Sequence, residues 1–268
     1  MDTHIIGVDL TAHGDDALAR GLEIAERLGA RVIAVRCDPA MTRAGALRAR
    51  DRLARRLRGD PRAACVPWRA LALAQTAGAA IPALARATGA TLITIGGHRP
   101  RPLRDLALAG TGETILHAAP CPLVAATPGA RRGWRAALAA VDFSAPCAEA
   151  MRAAARLAPG MPIDAVHAVH VPSAAWDPAT AAAALDDAWR EMERFRIVNP
   201  LPEFRHARVV AGGVRPAIAA AMTPETDLLI LGADGHGRVR DYLLGSVAFD
   251  LLRDPPCDLL LARGLVAR

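Results

Sequence analysis

Leu228-Leu-Ile-Leu-Gly-Ala-Asp-Gly235 is followed, after nine further residues, by Gly245-Ser246-Val247, and a second apolar run, Leu259-Leu-Leu261, comes next. An apolar run that ends in glycines reads as a buried strand leaving its sheet. Gly-Ser ahead of an apolar-periodic segment reads as the opening of a helix. Glycines let backbone N–H groups approach an anion with no Cβ in the way. The first turn of a helix then adds unpaired donors and the positive end of its dipole. Strand, glycine loop and helix together predict an α/β protein with a phosphate cradle.

Outward from this stretch, the chain repeats itself. Ile5-Ile6-Gly7-Val8-Asp9-Leu10-Thr11 shares its design with Ala139-Ala140-Val141-Asp142-Phe143-Ser144. In each, an Asp closes an apolar strand and a hydroxyl residue stands two positions later. Helical patterns follow at 15–28 and 148–157, then strands at 32–35 and 165–169. Leu92-Ile-Thr-Ile-Gly96 answers Leu229-Ile-Leu-Gly232, and Pro120-Cys121-Pro122 answers Pro256-Cys257-Asp258. Strands alternating with helices, about five strands per half, predict two tandem doubly wound parallel sheets with flanking helices. The expected domains are 1–128 and 134–268, joined by a segment of linker composition from Thr127 to Trp134. Ligands of such sheets sit beyond the carboxyl ends of the strands, where Asp9, Asp142, Gly96 and Gly232 lie.

The spacing Gly-x2-Gly-x9-Gly-Ser, with Val141-Asp-Phe-Ser144, Val169-His-Val171 and Gly212-Gly213, resembles the universal stress protein family, and both halves together resemble a tandem member. The resemblance implies an adenine nucleotide alpha hydrolase-like fold. It also implies a site for ATP, or for ADP or AMP, in the second half, with Mg as a candidate companion. Carried over, Asp142 contacts the adenosine, the backbone at His170-Val171 contacts adenine, and Gly232, Gly235, Gly245, Ser246 and Val247 hold ribose and phosphates. The family often has Arg or His just before the second glycine; here Asp234 stands there. A carboxylate repels a triphosphate unless a metal bridges them, and His236 and Arg238 are the available compensation. The implied role is a stress-response or signalling module. A nucleotide-independent interaction scaffold and a slow ATP hydrolase are the alternatives.

The first half departs further from the pattern. Aligned through Cys121, Arg99, Ala109 and Gly110 stand opposite Gly235, Gly245 and Ser246. Slipped by one residue, Gly97, Pro100, Gly110 and Thr111 take the motif places, and the second glycine is still missing. Prolines at 100 and 102 remove donors. This half reads as degenerate. Single-domain members of the family pair through their last strands, so Pro122–Ala126 and Asp258–Ala262 are expected to pair within one chain as an intramolecular pseudo-dimer, covering two sheet edges. A further homodimer is compatible with this.

The chain has 268 residues, 52% hydrophobic but only 3% aromatic, which suits a core of small and aliphatic side chains. All basic residues are arginines, as a GC-rich genome produces. The net charge of +6 is uneven: residues 1–130 carry 17 Arg against 11 acidic residues, and the rest is balanced at 16 against 16. The excess gathers between Arg43 and Arg62, where the simplest reading is a solvated helix face and the alternative is binding to an anionic surface or nucleic acid. No aromatic residue interleaves with it, so base stacking has no platform and nucleic acid is not the expected partner. Five cysteines form no CxxC pair, which argues against a disulfide framework and suits a reducing cytoplasm. No signal peptide or membrane span is legible.

Other constellations read as structural. Asp15 and Asp16 suit the first turn of a helix. His167 and His170, three apart on a strand, face opposite sides and make no chelate. Cys121 and Cys257 read as small buried hydrophobes. Leu185, Trp189, Met192 and Phe195 read as the core face of a helix over 178–195. No general base or metal-ligand pair is placed for catalysis, and no catalytic residue is assigned.

Overall fold

The computed structural model describes residues 1–97, 110–128, 133–170, 177–233 and 246–264. Its first half runs β1 (Thr3–Gly7), α1 (Ala12–Leu28), β2 (Arg31–Cys37), α2 (Arg43–Arg58), β3 (Trp68–Leu73), α3 (Ala77–Thr88), β4 (Leu92–Gly96), α4 (Thr111–Ala118) and β5 (Leu123–Ala126). The second half repeats this order as β6 (Ala136–Ala140), α5 (Ala145–Leu157), β7 (Ile163–Val169), α6 (Pro178–Val198), β8 (Phe204–Ala211), α7 (Val214–Ala221), β9 (Thr226–Gly232), α8 (Ser246–Arg253) and β10 (Asp258–Ala262).

The helices begin and end where local chemistry directs. Thr42 accepts the Gly45 N–H at 3.1 Å to cap α2, and Ser144 accepts the Cys147 N–H at 3.1 Å to cap α5. Gly29 ends α1 with φ 60, a left-handed turn that suits glycine. Helix α1 starts three residues earlier than its sequence pattern suggests. Asp15 lies in its first turn and also pairs with Arg56 of α2.

Ten strands form one sheet in the order β3-β2-β1-β4-β5-β10-β9-β6-β7-β8. Each half is parallel throughout, and the halves join where β10 runs antiparallel to β5, with Leu260 opposite Val124. The expected pairing of the last strands is therefore present, and the two five-stranded sheets are halves of one continuous sheet. Leu259, Leu260 and Leu261 are fully buried at this seam. One face of the sheet carries a single apolar core drawn from α3, α4, α7 and α8 of both halves, including Ile81, Leu116, Ile218 and Leu252. The opposite face carries two cores, one under α1 and α2 and one under α5 and α6.

Helix α6 corrects one expectation. Met192 and Phe195 are buried as its periodicity predicts, but Trp189 is exposed. The buried stripe runs instead through Ala181, Ala188, Met192 and Phe195.

Candidate functional site

The switch point of each half lies between its first and fourth strands, where chain direction across the sheet reverses. In the second half these are β6 and β9, and the residues just beyond their carboxyl ends form the candidate site.

Asp142 follows β6 in a tight turn. Its Oδ1 accepts the Ser144 N–H at 3.0 Å and the Ser144 hydroxyl at 2.6 Å. Phe143 between them has φ 60, a left-handed backbone that a non-glycine residue adopts at a strain of about 1–2 kcal/mol. The strain is offset by aromatic packing: the Phe143 ring lies 4.3 Å from the His167 ring and 5.7 Å, edge-on, from Phe195. His167 Nδ1 donates to the Val141 carbonyl at 2.7 Å, which fixes the proton on that nitrogen. The turn thus fixes where the Asp142 carboxylate stands.

Gly232 ends β9 against the first turn of α5. A Cβ there would stand 2.9 Å from the Cys147 nitrogen and 2.9 Å from Ser144 Oγ. The glycine is explained first by close strand–helix packing, which also sets Ser144 and hence Asp142. Burial, reinforced by the Asp142 charge, pushes the Cys147 thiol up to about 12, so it is an inert packing group. Ser246 opens α8, the position an anion-binding helix start requires. The Val247 side chain packs into the shared core, which leaves its backbone as the group to face a ligand. Val171, Gly235, His236 and Gly245 lie outside the described residues, as do Asp234 and Arg238. Among the described residues, no cluster of three metal-ligating side chains occurs. His167 is committed to Val141, and His170 beyond it is exposed.

The first half holds the same turn with different surroundings. Asp9 Oδ1 accepts from the Thr11 N–H at 2.9 Å and hydroxyl at 2.6 Å, and Leu10 has φ 63. Burial works against ionisation of Asp9. Hydrogen bonds from Thr11, the Arg36 charge and the Gly14 N–H outweigh it and hold the carboxyl below its usual range. The parallel registers, Val8 N–H to Val35 and Val141 N–H to Val166, make Arg36 the counterpart of His167, and by count along the chain Ala40 stands opposite Val171.

At three places the first half fills its own site. The Ala40 N–H is taken by Asp38 Oδ1 at 3.0 Å. The Gly110 N–H, at the start of α4, is taken by Glu113 Oε2 at 2.5 Å. Arg56 of α2 donates to the Leu10 carbonyl at 3.1 Å and the Thr11 carbonyl at 3.4 Å, covering the turn. Val124 and Leu260 face each other at the seam, and in the same register the buried Ile115 and Leu116 of α4 correspond to the buried Leu251 and Leu252 of α8, so the alignment through Cys121, with Gly110 opposite Ser246, is the structural one. Glu113 is buried and held by Arg253 Nε of α8 at 2.9 Å, a link between the halves. The sequence signal for the self-cap was the spacing Gly110-x-x-Glu113, that of a capping box.

A doubled five-stranded parallel α/β unit, joined through its last strands and carrying an Asp-closed first strand in each copy, defines the class of this protein. A model of the universal stress protein family matches residues 1–126 and again residues 133–263, and the chain belongs to that family. Its fold is similar to that of a functionally unknown protein from Pseudomonas aeruginosa PAO1, with 18% identity, TM-score 0.69, and 99% of this chain and 93% of the other covered. It is also similar to a universal stress protein from Archaeoglobus fulgidus DSM 4304, with 15% identity, TM-score 0.67, and 97% and 98% covered. A universal stress protein from Pseudomonas aeruginosa UCBPP-PA14 aligns with 19% identity and TM-score 0.69 over 99% of this chain and 94% of the other. These likenesses show a shared fold. No curated protein matches the chain. No helix among the described residues is long and apolar enough to cross a membrane.

Proposed function

We propose that this universal stress protein binds ATP or a related adenine nucleotide in its second domain, 134–268, and acts in the cytoplasm as a stress-response or signalling module. The observation that carries this reading is the asymmetry between the copies. In the first, N–H groups at the equivalent positions are bonded to Asp38 and Glu113 of the same chain. The second copy has the family motif at Gly232, Gly235, Gly245 and Ser246, and position 249, counterpart of Glu113 in the alignment through Cys121, is phenylalanine. No carboxylate stands in α8 at the place in the sequence that Glu113 takes in α4.

The donor set suits an adenine nucleotide. The Asp142 carboxylate accepts hydroxyl hydrogen bonds, as a ribose offers. The backbone at Val171 suits the adenine edge. The N–H groups at Gly245, Ser246 and Val247, with the α8 dipole behind them, suit phosphate oxygens. His236 is placed by the motif to offset Asp234. When bound with a nucleotide, Mg would supply charge neutralisation at the phosphates. The chain's own residues orient the ligand, and no group among them is proposed as catalytic.

Calorimetry with ATP, ADP and AMP, with and without Mg, tests the reading. Binding at submillimolar nucleotide is expected. Gly245→Val places a β-branched side chain where phosphate must approach and is expected to abolish it, whereas Gly110→Val leaves it unchanged. Absence of heat with all three nucleotides overturns the proposal and favours a nucleotide-independent scaffold.

A further inference from the structure

We infer that the outer face of α2 is a docking surface for the phosphate backbone of a nucleic-acid duplex. Helix α2 carries seven arginines and one aspartate. Arg50 pairs with Asp51, and Arg56 with Asp15. Arg43, Arg48, Arg52, Arg55 and Arg58 are exposed, and among the described residues none of them meets an acidic side chain. Arg48, Arg52 and Arg55 fall at i, i+4 and i+7, so they share one face, and Arg58 follows a turn later. The row spans about 15 Å at 1.5 Å per residue. Like charges at this spacing repel, and a bound polyanion relieves them.

The repeat supplies an internal control against a purely compositional origin. Helix α6 occupies the same place in the second half, between its second and third strands. It carries three arginines and four acidic residues, and Arg190 and Arg196 are paired with Asp187 and Glu193. Both helices come from the same arginine-rich, lysine-free chain, yet only α2 presents an unneutralised row.

The surroundings select the partner. A folded protein partner needs apolar or aromatic anchors at the centre of the contact. Here Leu53 and Leu57 are buried and only Leu47 is exposed beside the arginines. The same burial removes the apolar face that an interfacial helix would insert into a membrane. Trp68 of β3 lies under Arg58, 5.7 Å from the guanidinium, so no open aromatic platform is offered to single-stranded bases. Backbone contact with a duplex needs only a row of positive charge, and arginine forks fit phosphate oxygens.

The test is fluorescence anisotropy of the full chain, without nucleotide, against a labelled duplex of arbitrary sequence. Its outcome is independent of the adenine-nucleotide reading. Binding is expected at 50 mM salt, with a log–log salt slope near about −4 and a loss of about 10²-fold by 200 mM, as neutralising four or five phosphates requires. Arg48→Glu, Arg52→Glu and Arg55→Glu together are expected to abolish it. Arg190→Glu, Arg194→Glu and Arg196→Glu, which change the net charge equally, are expected to leave it within a factor of two to three. If the α2 triple does not fold, the Arg→Gln triple at the same positions serves, with at least a tenfold loss expected. No binding at 50 mM salt, equal loss in both triples, or preference for anionic vesicles or a single-stranded oligonucleotide overturns the inference.

Discussion

Arg20 of α1 and Asp258 of β10, 238 residues apart in sequence, meet at 2.7 Å with both side chains almost wholly buried. Asp258 also accepts the Trp134 indole N–H at 2.8 Å and, on its other oxygen, the Thr127 N–H at 2.7 Å and hydroxyl at 2.9 Å. The Arg20 guanidinium stacks 4.9 Å from the Trp134 ring centre and also pairs with Glu23. The segment between the repeats is therefore fastened at both ends to the seam where β5 and β10 pair. The pseudo-symmetric position in the first half is Pro122, so the fastening is one-sided.

Asp258→Ala is expected to destabilise the chain by about 3–5 kcal/mol, because it leaves the Arg20 charge buried without its main partner and strands the Trp134 and Thr127 donors. Asp258→Asn keeps acceptor capacity but loses the charge, and should fall between the two. Urea unfolding of the three proteins checks the order. A loss below about 1 kcal/mol for Asp258→Ala would show that water reaches Arg20.

Glu113 and Arg253 form a second link across the halves, at the starts and ends of their fourth helices. Glu113→Ala removes both the Gly110 cap and the Arg253 pair and is expected to lose about 1–3 kcal/mol. Arg253→Ala should lose less, since Arg253 is one-third exposed. A double-mutant cycle is the measurement. The coupling energy should be favourable and at least about 0.5 kcal/mol.

Much of this architecture was legible because its signals are local. Ile5–Thr11 and Ala139–Ser144 announce their strands and turns by apolar runs closed with Asp, and the repeat dictates a doubled topology. The seam was legible only by analogy, and its chemistry was not. Thr127 and Trp134 read as linker residues because their partner, Asp258, is brought close only by the antiparallel pairing of β5 and β10. Phe143 gave no sign of its left-handed backbone, since that strain is held by His167 and Phe195 from other elements. Trp189 is exposed although its periodicity predicts burial, because hydrophobicity alone does not tell a core-facing residue from an exposed one when alanines share its helix. Within the site, the positions of Asp142, Gly232 and Ser246 followed from the motif. The closure of the first copy by Asp38, Glu113 and Arg56 depended on contacts that short-range patterns do not encode.

Gly232→Ala is expected to destabilise by about 1–3 kcal/mol, because the new methyl meets backbone at Cys147 and the capping hydroxyl of Ser144 rather than a movable side-chain end. Displacing the start of α5 also displaces Asp142, so the nucleotide affinity proposed for the second copy should fall with stability. Gly7→Ala is the control. Its methyl meets the Cδ1 tip of Ile81 at 2.8 Å, which can rotate, and the Cγ2 methyl of Ile95 at the looser 3.3 Å, and the corresponding second-half residue, Ala140, already carries one. Thermal unfolding and calorimetry of both variants separate the cases.

His4 predicts a pH dependence that belongs to the core. Its ring is fully enclosed, with Nε2 2.8 Å from the Thr94 hydroxyl and no hydrogen-bond partner for Nδ1 among the described residues. Burial lowers its pKa from 6.5 to about 3, with the Gly21 backbone working the other way. In the unfolded chain the ring takes up a proton as pH falls through 6.5; in the folded chain it stays neutral until about 3. The unfolded state therefore binds more protons across this window, and stability, complete above it, declines as pH falls, by about 1.4 kcal/mol per pH unit once well inside it. The depressed carboxylates, Asp9, Asp164 and Asp227, lose their contributions only at lower pH, through the carboxylate range. Between pH 4.5 and 6 the slope belongs mainly to His4. Denaturant unfolding of the native chain and of His4→Gln, which can still bond Thr94 but does not titrate, measures it. The native chain should show the full slope and the variant should be nearly flat; equal slopes would place the protonation elsewhere.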